Sequence, residues 1–112
     1  MWKRILFLVM LIGVQGFMAS PVLAGGNPHL QEAIAHTEEA IMHGGMGHAD
    51  AVVTHASVAL KHAKVAAQEM KNPHVDEGVS HLQEAISHGN QGHAGVATKH
   101  AETAIMHLKE AH

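Results

Sequence analysis

The chain has 112 residues with 13 His, no Cys and no Tyr, and its 10 acidic side chains outnumber 7 basic ones. A net charge of −3 with His neutral excludes a polyanion-binding domain, because nucleic-acid binding starts from a cationic footprint. The missing Cys removes disulfides, thiolate zinc sites, c-type haem attachment and a cysteine nucleophile at once.

Residues Met1 to Ala24 read as a secretory signal. Lys3 and Arg4 precede an apolar run from Ile5 to Val14, which is short for a membrane span, and Val22-Leu23-Ala24 supplies the small residues of a cleavage site. Cleavage after Ala24 is expected to leave one domain, residues 25–112, with no membrane segment. All three aromatic side chains (Trp2, Phe7, Phe17) fall in the removed part, whereas all 13 His stay. A core of Ala, Val, Ile and Leu without large rings buries little area per residue, so the metal-free fold should be marginal.

The histidines then reveal a duplication. Each of His29, His36, His43, His48, His55 and His62 recurs 45 residues later, as His74, His81, His88, His93, His100 and His107. The same offset relates Asn27-Pro28-His29 to Asn72-Pro73-His74, and Gly47-His48-Ala49 to Gly92-His93-Ala94. The repeats span 27–67 and 72–112, and His112 closes the chain.

Each repeat reads as two helices joined by a tight turn. Asn27 and Asn72 are N-caps, and Pro28 and Pro73 occupy the first helical position, where a missing N–H costs nothing. The first helix carries Leu30, Ala33, Ile34, Ala40 and Ile41 at steps of three and four. Gly44 and Gly89 stand where a left-handed C-cap is expected, which makes HGGMGH and HGNQGH the turns. The second helix restarts near His48 with Val52, Val53, Ala56, Ala59, Leu60, Ala63 and Ala66 on its apolar face. Val75, Val79, Leu82 and Ile86 repeat the rhythm in the third, and Ala97, Ala101, Ile105 and Leu108 in the fourth. The fold class is all-α, an up-down-up-down four-helix bundle built from a duplicated helical hairpin.

Seven helical residues nearly complete two turns and rise about 10.5 Å, so the histidines of each helix form one ridge. With the apolar residues at heptad positions a, d and e, these His take position g beside the core. His29 and His62, His36 and His55, and His43 and His48 are equidistant from the first turn; His74 and His107, His81 and His100, and His88 and His93 are equidistant from the second. Folding the hairpins therefore predicts ladders of His pairs at matched levels. Glu32, Glu39, Glu77 and Glu84 lie on the same face between the rungs, so one helix of each hairpin gives His and carboxylate and the other His alone.

A single His beside a helix stripe is ordinarily a polar surface residue. Duplication, however, copies a spacing without explaining the sevenfold regularity inside each half, and imidazole is no special solubiliser. The pattern points to metal binding at several separate sites. Imidazole suits Cu(II), Ni(II) and Zn(II), and the Irving–Williams order ranks Cu(II) first.

The whole of residues 25–112, notably HVDEGVSHLQEAISHG, GHAGVATKHA and the sevenfold His spacing, resembles the small metal-binding proteins, a family of histidine-rich periplasmic four-helix bundles. The resemblance implies binding of several divalent transition-metal ions, copper foremost, a role in copper handling or buffering, and the ladder from His29 through His107 as ligands. Partners beyond metal ions are not expected, and a monomer is.

Three rival readings are weaker. A di-iron oxidase needs Glu-x-x-His on two helices, whereas here Glu precedes His by four, as in Glu32 to His36; no nucleophile–base set appears either, so the chain is not expected to be an enzyme. A b-type haem bundle needs a core slot and fewer His. A pH-responsive structural or partner-binding bundle would use the 13 His as a charge switch.

Overall fold

A computed structural model describes residues 26–112; the expected signal segment, residues 1–24, lies outside them. Four helices follow in order, α1 (Pro28–Gly45), α2 (Ala49–Met70), α3 (Pro73–Asn90) and α4 (Ala94–Glu110), with no strand among the described residues. The antiparallel hairpins α1–α2 and α3–α4 pack through α2 on α3 and α1 on α4, so the bundle has the expected sequence of neighbours. Among the described residues no helix is long and apolar enough to cross a membrane.

The helix starts follow from their caps. The Asn27 side chain accepts from the backbone N–H groups of His29 (2.8 Å) and Leu30 (3.0 Å). Asn72 accepts from His74 at 2.8 Å, and Pro28 and Pro73 open the two helices. Asn27 also donates to Glu69 Oε1 at 2.9 Å, which ties the start of α1 to the end of α2.

The turns differ from expectation. In the two hairpin turns the left-handed residues are Gly47 and Gly92, each at φ 81°, not Gly44 and Gly89. Gly44 and Gly89 are buried inside the last turns of α1 and α3. A Cβ on Gly44 would run into the Thr98 side chain, and one on Gly89 would lie 2.7 Å from Val53 Cγ2. These two glycines serve close helix approach, and the chain reverses three residues later. His48 and His93 then become the N-cap residues of α2 and α4, with backbone N–H bonds of 3.0 Å to His43 and His88.

The core is narrower than the a, d and e stripe. Only a and d positions are fully buried, including Leu30, Ala33, Thr37 and Ala40 in α1, and Val52, Ala56, Ala59, Ala63 and Ala66 in α2. Ile34, Ile41, Val79 and Ile86 pack against that seam while partly exposed. Thr37 is a core residue that apolar periodicity passes over; its hydroxyl donates to the Ala33 carbonyl at 2.7 Å, which satisfies it inside its own helix. Large and small residues alternate between the repeats: Thr37 matches Leu82, Ala63 matches Leu108, Val52 matches Ala97, and Ala33 matches Gly78. Leu108 lies over Gly78, where an added Cβ would come within 2.8 Å of its Cγ. Leu108 thus fills the space that Gly78 leaves.

Candidate metal centres

With the buried seam at positions a and d, position g lies along the groove between the two helices of a hairpin. His29, His36, His43, His55 and His62 are all half-buried there, and so are His74, His81, His88, His100 and His107. His48, His93 and His112 are exposed, the first two at the turns and the last at the chain end. In a bundle with this order of neighbours, the α1–α2 and α3–α4 grooves lie on opposite sides, so the two ladders face away from each other.

Three of the matched-level pairs meet through ring nitrogens. Nδ1 to Nδ1 distances are 3.1 Å for His29 and His62, 3.2 Å for His74 and His107, and 3.3 Å for His81 and His100. The other three pairs are looser, with ring centroids 6.4 Å apart for His36 and His55, 6.2 Å for His43 and His48, and 6.3 Å for His88 and His93.

Diagonal contacts connect the rungs. His36 stacks on His62 at 6.0 Å, His43 on His55 at 5.0 Å, His81 on His107 at 5.9 Å and His88 on His100 at 5.3 Å, with rings within 7° of parallel. Side chains lean toward the N-terminus of their own helix, so on antiparallel helices the rings of His36 and His62 lean toward each other. The lean makes residues seven apart in level into neighbours. Each hairpin therefore carries a continuous zigzag of six imidazoles, not three isolated rungs.

The carboxylates select the diagonals. Ligand atoms of Glu32, His36 and His62 lie within 4.8 Å of one another, as do those of Glu39, His43 and His55, of Glu77, His81 and His107, and of Glu84, His88 and His100. Within them His36 Nε2 is 3.6 Å from Glu32, His81 Nε2 4.0 Å from Glu77, and His88 Nε2 3.7 Å from Glu84. The helical step of four makes these contacts, one carboxylate per site, always from α1 or α3. His29, His48, His74, His93 and His112 belong to none of the four groups.

The donor set suits a transition-metal ion. Zinc–nitrogen bonds of about 2.0–2.1 Å hold two ligands of one ion no more than about 4.2 Å apart, so donors within 4.8 Å of one another need only a small side-chain adjustment to close on an ion. Burial points the same way. The Nδ1 atoms of His36, His43 and His88 are buried and lack a hydrogen-bond partner among the described residues. A buried polar atom without a partner carries a desolvation cost that a coordinated ion would relieve. Three protein donors leave a coordination position for water, as in exchangeable rather than closed sites. Among the described residues, Asp50 is an acidic side chain near the first turn that His spacing did not single out; its repeat counterpart is Gly95, and it joins none of the four groups.

Comparison with known proteins agrees with this chemistry. The family model described as small metal-binding protein matches residues 2–111. No curated protein matches the chain.

Proposed function

Because the chain belongs to the small metal-binding protein family, we propose that it is a reservoir for divalent transition-metal ions, copper foremost, with nickel and zinc also accepted. The observation that carries this reading is the recurrence of one donor set, one carboxylate and two imidazoles, four times at a fixed helical register. Nitrogen and oxygen donors without thiolate favour Cu(II) over Ni(II) and Zn(II) by intrinsic affinity, while excluding none of them. Half-buried ligands, an exposed carboxylate and an open position favour exchange over permanent retention, which suits buffering or scavenging.

The rest of the proposal follows from the same pattern. The protein works as a monomer in the periplasm, after removal of residues 1–24, and binds ions without turning over a substrate. Folding and loading reinforce each other, since ions bound only by the folded chain stabilise it by mass action. Titration of the purified protein with Cu(II), Ni(II) and Zn(II) at neutral pH, with metal counted per chain, tests the reading. One ion per three-donor group, four per chain, is expected before any weaker uptake at the remaining histidines. Protein that stays empty after dialysis against copper would refute it.

A further inference from the structure

Two ladder histidines stand apart from the rest. His29 and His74 are half-buried and occupy the same register as the ligands, yet neither belongs to a three-donor group and no carboxylate accompanies them. Each instead meets one ring nitrogen, His29 the Nδ1 of His62 and His74 the Nδ1 of His107, at 3.1 and 3.2 Å. Their positions are fixed from below, since the backbone N–H of each is held by the capping Asn27 or Asn72 at 2.8 Å. Within each group His62 and His107 are the rings supplied by the helix that contributes no carboxylate.

We propose that His29 and His74 are positioning residues, each fixing the tautomer and orientation of the metal-binding imidazole opposite it. A hydrogen bond between two Nδ1 atoms requires that one ring carry the proton there and the other accept with its lone pair. When His62 donates its Nδ1–H to His29, its Nε2 keeps the lone pair that would serve an ion shared with Glu32 and His36. His29 then carries its own proton on Nε2 and offers no further donor to that ion. His74 does the same for His107 in the group with Glu77 and His81. Ligating histidines commonly hand their second nitrogen to a carboxylate or a carbonyl, and here another imidazole takes that place. The pair His81 and His100 differs, because both rings belong to three-donor groups.

The inference rests on the metal-reservoir reading, and its test separates the two. Nitrogen-15 spectra of the metal-free protein report which ring nitrogen of His62 bears the proton, and zinc titration reports number and affinity. Wild-type protein is expected to show His62 as the Nδ1–H tautomer. In His29→Ala that ring shifts toward the Nε2–H form, and one zinc site weakens about 10–100-fold with the number of ions unchanged. His29→Gln, whose amide oxygen accepts the same hydrogen bond, restores both readouts, a rescue that mere packing would not give. Loss of one whole ion in His29→Ala makes His29 a ligand and overturns the proposal; so does an Nε2–H tautomer of His62 in the wild type, or a variant with tautomer and affinity unchanged. Wild-type protein that takes up no zinc refutes the reservoir reading, while the tautomer measurement still decides the hydrogen bond.

Discussion

The division of the ladder into diagonal groups makes a prediction about which histidines fail together. His36 shares a group with His62, whereas the residue level with it, His55, belongs to the next group along the groove. The double variant His36→Ala/His62→Ala therefore removes ligands from one site, and His36→Ala/His55→Ala from two. At a free-ion concentration about 100 times Kd, each occupied site stabilises the fold by about 2.7 kcal/mol. A domain of this size gains about 4–8 °C in Tm per kcal/mol, so each lost site lowers the loaded Tm by roughly 10–20 °C. The first double variant should show one such decrement and three retained ions, and the second should show two decrements and two ions. Far-UV circular dichroism follows the melt, because residues 25–112 contain no Trp, Tyr or Phe. Melting in chelator gives the packing cost of each variant separately. The reasoning is refuted if His36→Ala/His55→Ala loses a single ion while His36→Ala/His62→Ala loses two.

The other predictions concern packing and pH. Gly44→Ala forces a methyl group against Thr98 and Val52, so it should destabilise the metal-free bundle by about 1–3 kcal/mol in denaturant unfolding. Gly45→Ala meets nothing within 4 Å, and should be neutral or stabilising by up to about 1 kcal/mol in the same assay. Protons compete with the ion for two imidazoles per site, so affinity should fall steadily as the solution is acidified. Competition titrations from about pH 7.5 to about pH 5.5 measure that slope, and a flat profile would mean that imidazole is not the donor.

Much of this architecture was readable because one residue type marks one helical position. His at position g fixes where the groove runs, and the offset of 45 residues fixes how many times it recurs. Asn27-Pro28 and Asn72-Pro73 announce their helices through local chemistry alone. What levels along a backbone do not reveal is the lean of side chains. Equidistance from the turn pairs His36 with His55, yet opposite leans on antiparallel helices bring His36 to His62 and so decide which rings share a carboxylate. The left-handed position within the turn is hidden for a related reason: HGGMGH offers three glycines, and only interhelical distance tells that Gly44 is a contact and Gly47 the reversal. Thr37 escaped because a hydroxyl bonded within its own helix behaves in the seam as a small apolar side chain.

The exchange of large for small residues across the seam has a consequence for the origin of the two halves. A molecule assembled from two copies of the first hairpin would put Thr in the place of Leu82, and Ala in the places of both Leu108 and the Gly78 beneath it. Two copies of the second would put Leu where Thr37 and Ala63 stand. The halves have become lock and key toward each other, while the surfaces that hold cargo have stayed twins. Interior and ladder thus answer to separate demands within one chain.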